Sequence, residues 1–424
     1  MEERFLYHIW DEGHLIPELR TVSGKSVRIV YQGQYNTGRG PDFKNAIIEI
    51  DHEQLRGDVE IHLKSSDWQA HNHQEDIYYN KVVLHVVLNH NSAYPCTIRE
   101  DGGSVEVLEL KHQLSEDILK LTQDQEFPAK ASAYCDLLSA LDKDRLISIL
   151  HMAGIRRFEG KIKRFNSALS LSSFDQIFYE GVFEAIGYDK NKLNTMQIAQ
   201  SLPISMLREF LSEGMSADDL LAIYLAASGL LARSGSLISN QNRERIMRDY
   251  ETQPYFARSL EIDWQLFRVR PQSHPLKRLI YISPIIHASL QEGLFHYTLR
   301  HTLDAENLHK AFRAIWQPQI SSDGQAFNLG KMVQDNIYLN IFLPILCLWQ
   351  RKMAQDTNIV MNAYREYSAL PENHITRFMH RYLNPSQIEL SGSKAIYQQG
   401  LMDIYHRFCN WHLCAECKQR ADIS

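Results

Sequence analysis

The run KVVLHVVL, residues 81–88, constrains the fold more than any other stretch of this chain. It is short, almost wholly apolar and rich in β-branched valine. That pattern fits a strand buried on both faces better than one alternating between core and water. Such a strand needs packed layers above and below it. The sequence around it supplies the rest of a sheet. FLYHIWDEG reads as a short helix. VRIVYQG, near 27–33, and FKNAIIEID, near 43–51, read as strands separated by the loop YNTGRGPD, which two glycines, a proline and an asparagine punctuate. EQLRG reads as a link to a third strand, DVEIHLK, near 58–64. SSDWQAHNHQEDIYYN opens on Ser and Asp, which favour helix starts, and reads as a short helix or ordered loop. SVEVLEL, near 104–110, alternates cleanly after an Asp-Gly-Gly turn, which predicts a hairpin with TIRE.

From about residue 115 the pattern changes to apolar residues at three- and four-residue spacing, as in DRLISILHMAGIRRFEGKIKRF and ADDLLAIYLAASGLLARSG. NIYLNIFLPILCLWQRK reads as a central helix kinked or broken at Pro344, and SKAIYQQGLMDIYHRFC as a last helix. The expected class is α+β, a mixed sheet followed by a large all-α domain. The expected domains are 1–115 and 116–424, with a possible subdivision near 250–280. No run of about 18 apolar residues appears, and the acidic start MEERFLYHIWDEG does not resemble a signal peptide. The reading is therefore a cytoplasmic chain with no membrane partner.

The net charge of −6 excludes a globally basic nucleic-acid binder, so any such surface must be local. Two segments qualify by composition: Arg156, Arg157, Lys161, Lys163 and Arg164, and then Arg268, Arg270, Lys277 and Arg278. Either is equally well a solvated helix face or turn.

Three polar residues stand where strands should be apolar. Asp42 opens the second strand after a proline. Glu60 and His62 lie two apart on the third strand, so they share a face, and Lys64 follows on that face. If these strands pair, Asp42 approaches Glu60. Two converging carboxylates repel unless a proton or cation stands between them. A hard ion such as Mg2+ or Mn2+ suits their oxygens and can activate water, while a Lys or His orients or deprotonates that water. The alternative is a turn aspartate and a solvent-facing edge strand.

Pro41–Asp42 followed by Glu60–Ile61–His62, within an αβββαβ order, resembles the PD-(D/E)XK nuclease superfamily over about a quarter of the chain. The resemblance implies a restriction-endonuclease-like sheet with Asp42 and Glu60 as metal ligands, and with His62 or Lys64 in the place of the usual lysine. It also implies a helix-borne acid, for which Glu3 and Glu12 are the candidates. The strings GRGPDFKNA and GDVEIHLKSSDW, with the C-terminal QQGLMDIYHRFCNWHLCAEC, are similar to an uncharacterised bacterial family, which brings no activity with it.

His71, His73 and His85 fall close enough in sequence to support the metal site or touch substrate, as does Arg39 in the loop before Asp42. The bland readings are a polar helix surface with Trp68 and Tyr79 packed inward, and a hydrogen-bonded core histidine at position 85. Six cysteines do not suggest a disulfide framework in a reducing compartment. Cys409, Cys414 and Cys417 crowd the C-terminus at a spacing suited to structural Zn2+ or an Fe–S cluster, completed by Cys96, Cys135, His406 or His412. Some nucleases of the resembled superfamily pin their C-terminus with such a cluster; inert cysteines on a terminal helix are the alternative. Three functions follow as expectations. The first is a Mg2+-dependent nuclease acting on DNA or RNA. The second is an inactive nuclease-fold scaffold that binds nucleic acid or protein. The third is a zinc-dependent hydrolase of a small phosphorylated substrate.

Overall fold

The structure is a computed structural model. It describes residues 3–36, 38–115, 136–230, most of 260–330, 331–411, and Glu244, Leu413, Cys414 and Cys417. Contacts gather the chain into two compact units, 1–157 with 372–424, and 158–371. The sequence pattern changes near 115, but the first unit extends to 157 and recovers the C-terminal segment as well.

The first unit begins with helix α1 (Glu3–Glu12) and the strands β1 (Leu19–Arg20), β2 (Ser26–Tyr31), β3 (Gln34–Tyr35), β4 (Phe43–Ile50) and β5 (Glu53–Lys64). There follow helix α2 (Asp67–Ala70) and the strands β6 (Val82–Asn89), β7 (Cys96–Ile98) and β8 (Ser104–Glu109). The sheet order is β1-β2-β4-β5-β6-β8-β7, with β3 paired to β4 beside that path. β6, the KVVLHVVL strand, is internal and parallel to both neighbours, as its apolar run requires. β7 and β8 form the expected antiparallel hairpin.

EQLRG is strand rather than link. β4 and β5 join through Asp51 and His52 alone, at positive φ of 46° and 71°, the backbone of a primed hairpin turn. The turn carries no glycine, so its sequence does not announce it.

Strand alternation divides the sheet's faces. Val59 and Ile61 of β5 and Leu84 and Val86 of β6 share one core with Phe5, Leu6, Ile9 and Trp10 of α1. Ile375, Met379, Leu401 and Ile404 from the C-terminal helices join the same core. Each such side chain contributes roughly 1.5–3 kcal/mol by leaving water, which ties 372–424 to the sheet. The opposite face carries a smaller cluster of Trp68, Tyr79, Val82 and Val105. Glu60, His62 and His85 alternate onto that second face.

Among its described residues, the regular structure of the second unit is helical apart from a short pairing of Gln319–Ile320 with Ala326–Phe327. The expected break at Pro344 takes a specific form. Helix Lys331–Ile337 passes through a π turn, Tyr338–Phe342, into helix Leu343–Lys352. Proline lacks the N–H that an α-helix would direct at residue 340, and the wider turn absorbs the mismatch. The stretch Lys331–Lys352 is apolar enough to cross a bilayer by composition, but 78% of its apolar 18-residue window is buried inside the protein, as befits a core helix.

Candidate metal centre

Two irregularities in the sheet bring the polar groups together. β4 bulges between Phe43 and Ala46, where Asn45 has a φ of 58°, and the buried Asp58 accepts the Asn45 N–H at 3.0 Å. On the other side of β5 the register with β6 shifts between Asp58 and Val59. Bulges re-aim side chains and interrupt pairing, and here they flank the strand that carries Glu60 and His62.

Phe43 pairs with Val59, so Asp42 stands opposite Glu60. The two carboxylates replace the ladder at that point. The Asp42 N–H donates to Glu60 Oε2 and the Ile61 N–H donates to Asp42 Oδ2, each at 3.0 Å. Glu60 is only 5% exposed. Burial first, and then the charge of Glu60, push the Asp42 carboxyl well above its usual range; burial and the charge of Glu3 do the same to Glu60. α1 adds Tyr7, whose hydroxyl donates to Glu3 Oε1 at 2.9 Å beside Asp42. Burial and the neighbouring acids hold Tyr7 as a neutral phenol.

Glu60 Oε1 turns toward the imidazoles. It lies 3.2 Å from His73 Nε2 and 3.4 Å from His62 Nε2. His62 Nε2 is 3.1 Å from His71 Nδ1. The ligating atoms of His62, His71 and His73 all fall within 4.8 Å of one another. Ligands at about 2.0–2.1 Å from a four-coordinate zinc stand roughly 3.3–3.4 Å apart, so the spacing fits a single ion. His73 Nε2 is buried without a hydrogen-bond partner. Burial lowers the pKa of His62, His73 and His85, so their rings are neutral at pH 7 and offer lone pairs.

Behind His62, its Nδ1 is 2.9 Å from His85 Nε2. A cation on His62 Nε2 would put the His62 proton on Nδ1, donated to His85, as the outer hydrogen bond of a ligating histidine does. Local chain geometry places the other two rings. α2 stops at Ala70, Asn72 adopts a left-handed φ of 60°, and a 3-10 turn begins at His73. Asp76 accepts the Tyr78 N–H and orders the next turn. His73 then stacks on Tyr79 at 3.8 Å between ring centroids, and His85 lies 5.1 Å from Trp68.

A family model described as "Protein of unknown function (DUF2851)" matches residues 3–374. The chain belongs to the DUF2851 family. No curated protein and no solved structure matches it.

In this DUF2851 chain the remaining sequence candidates fall outside the cluster. Lys64 is exposed at the end of β5, and its backbone N–H is held by Asp67 Oδ2 at 2.9 Å. Arg39 sits at the rim, 3.1 Å from Asp76 Oδ2 and 4.2 Å above the Tyr78 ring. Of the two candidate helix acids, Glu3 is beside the centre, whereas Glu12 pairs with Arg407 at 2.6 Å. Tyr7 was not legible as a site residue; its one signal is a position four residues after Glu3 on α1.

Cys417 belongs to the main core, Cys409 packs against it, and Cys414 is exposed. The metal-capable group found among the described residues is the histidine one. Cys135 and His412 lie outside the described residues.

Much of the first basic segment is engaged within the chain. Arg156 binds Asp403 at 2.6 Å and Arg157 binds Gln399 at 2.9 Å. Lys161 binds Asn340 and Arg164 binds Glu184.

Proposed function

We propose that this chain is a divalent-metal-dependent hydrolase of phosphate diesters. One observation carries the reading. Glu60 joins a buried carboxylate pair with Asp42 on one side to the imidazoles of His62, His71 and His73 on the other, with no protein cation among its described neighbours to balance the acids. Imidazole-rich donor sets suit Mn2+ or Zn2+ better than Mg2+. His62, His71, His73 and Glu60 would hold the ion, with Asp42 beside them. Once bound, such an ion polarises a phosphoryl oxygen and lowers the pKa of water.

The chain's own groups would do the rest. His85 fixes the His62 ring, the Asp42 and Ile61 amides fix the carboxylates, and Tyr7 holds Glu3 beside them. Arg39 at the rim is the nearest guanidinium for a substrate phosphate. Support for a nucleic-acid substrate comes from the resemblance of Pro41–Asp42 and Glu60–Ile61–His62, in their element order, to PD-(D/E)XK nucleases. The internal pairing of Arg156, Arg157, Lys161 and Arg164 favours a second reading, hydrolysis of a small phosphorylated substrate.

The test is hydrolysis of bis(p-nitrophenyl) phosphate, single- and double-stranded DNA, and RNA by the full chain with Mn2+, Zn2+ or Mg2+. Cleavage that falls about 1000-fold or more in Glu60→Gln and Asp42→Asn, with folding retained, is expected from losing charged metal ligands. Cleavage of the aryl diester but of no polymer selects the second reading. Metal-independent turnover, turnover unchanged in Glu60→Gln, or nucleic-acid binding without cleavage under any of these ions would sink the hydrolytic proposal.

A further inference from the structure

The second unit buries a cation, Arg278, that the described residues leave without a counter-charge. Arg278 lies in the first turn of helix Pro275–Ser289 and is 5% exposed. Its Nη2 donates to Ser273 Oγ at 3.3 Å, while Nε and Nη1 have no hydrogen-bond partner. Its guanidinium carbon lies 6.0 Å from the centre of the Tyr188 ring. Burial lowers its pKa to about 10, so it is charged at neutral pH.

Other arginines in this unit are treated differently. Arg164 meets Glu184, Arg208 meets Asp175 and Arg300 meets Glu292. Asp263, on the segment leading to Arg278, instead accepts from Gln265 at 3.0 Å. An unpaired buried charge is costly enough that proteins normally pair it.

The place suits an anion. Helical side chains lean toward the N-terminus, and the bond to Ser273 shows the guanidinium doing so. The same helix end directs its dipole outward; Pro275 has no N–H and the Leu276 N–H is taken by His274 Nδ1 at 3.3 Å, so the free donors are those of the Arg278 guanidinium. Lys190, two residues after Tyr188, binds the Phe267 carbonyl at 3.1 Å, so the Tyr188 region and the segment leading to Arg278 adjoin. Lys277 precedes Arg278, and an exposed Arg270 lies upstream.

We infer that Arg278, with Ser273 and the first turn of this helix, forms a binding site for a small oxyanion of the phosphate class, held by the unused Nε and Nη1 donors. The fork geometry of guanidinium matches phosphate oxygens two at a time. Burial admits a free phosphate or the terminal phosphate of a small molecule rather than a polymer backbone. The site is independent of the metal centre.

The test is a titration of inorganic phosphate, and separately of a mononucleotide, into the full chain at constant ionic strength with EDTA present. The readouts are calorimetry and the thermal midpoint. The wild type is expected to show saturable binding and a midpoint that rises with ligand, as any ligand of the native state produces. Glu60→Gln should bind equally, which separates this site from phosphate held at the metal centre. Arg278→Met should lose the response, and Arg278→Lys, which keeps charge but not the fork, should bind at least tenfold more weakly. Tighter binding of the mononucleotide than of phosphate identifies an organic ligand; equal binding identifies the free anion. An undiminished response in Arg278→Met, wild-type affinity in Arg278→Lys, or no saturable binding of either probe by the wild type overturns the assignment. If Arg278→Met does not fold, the lysine variant decides.

Discussion

The two units handle buried charge in opposite ways. In the helical unit, ionisable groups withdrawn from water are mostly matched. Asp175 accepts the Phe295 and His296 amides at 3.0 and 3.3 Å and meets Arg208 at 3.2 Å. Asp335 meets Tyr367 at 2.8 Å and His309 at 3.6 Å. These pairings are explained by folding alone, since each offsets the desolvation of its partner. Around Glu60, like gathers with like. Asp42, Glu60 and Glu3 crowd together, and beside them sit imidazoles that burial keeps neutral. Without a cation that arrangement holds only with a proton among the acids, since burial and neighbouring acid charge raise both carboxyls. A polar cluster that makes sense with only its own residues is structural; one that does not is a candidate ligand site. Arg278 is an exception among the described residues of the helical unit, and the same reasoning marks it.

The widest test of this contrast sets Asp175→Ala against Glu60→Gln in metal-free protein. The first leaves Arg208 and two amides at the start of helix Leu294–Thr302 without their acceptor. It should cost roughly 2–4 kcal/mol, read by urea unfolding. The second removes one of two repelling acids, while its amide oxygen still accepts from Asp42. Its stability should equal or exceed that of the wild type. A loss as large as that of Asp175→Ala would show that the carboxylate pair is structural, and the contrast would fail.

Adding the ion sharpens the same comparison. At about 100 times its dissociation constant, a bound metal stabilises the native state by about 2.7 kcal/mol. EDTA should therefore lower the thermal midpoint of the wild type, and Mn2+ or Zn2+ should restore it. His73→Ala should respond weakly to either. A midpoint indifferent to chelator and metal alike would leave the histidine group as a hydrogen-bonded wall.

How much of this was legible in the sequence depends on range. The period-two spacing of Glu60 and His62 and the apolar frame around His85 place all three on predictable faces, because alternation is a local property of strands. The β4–β5 hairpin was hidden because Asp51 and His52 occupy conformations usually signalled by glycine or asparagine. The approach of His71 and His73 to His62 depends on a left-handed Asn72 and two short turns, and helix or strand periodicity does not encode these. Tyr7 and Glu3 enter only because α1 packs on the sheet through Phe5, Leu6, Ile9 and Trp10. The return of 372–424 to the sheet core is likewise a tertiary fact, since its helices look locally like those of the other unit. The basic run at 156–164 carried a signal of the wrong kind: its composition suggested a ligand surface, but the partners that engage most of it are far away in sequence.

The smallest expected effect concerns acid. Burial pushes the Asp335 carboxyl upward, but the hydrogen bonds from His309 and Tyr367 outweigh it and hold the pKa below the ordinary value. A carboxyl depressed in the folded state stabilises at neutral pH, and that contribution disappears as pH falls through the folded value. The window therefore lies below the unfolded value of about 3.9. Asp335→Asn should flatten stability against pH there and leave the slope above pH 5 unchanged, as measured by unfolding midpoints between pH 2.5 and 7. If instead the variant altered the slope near neutrality, Asp335 would titrate there. It would then be as poorly compensated as the acids of the sheet, and the helical unit could no longer serve as the matched half of the comparison.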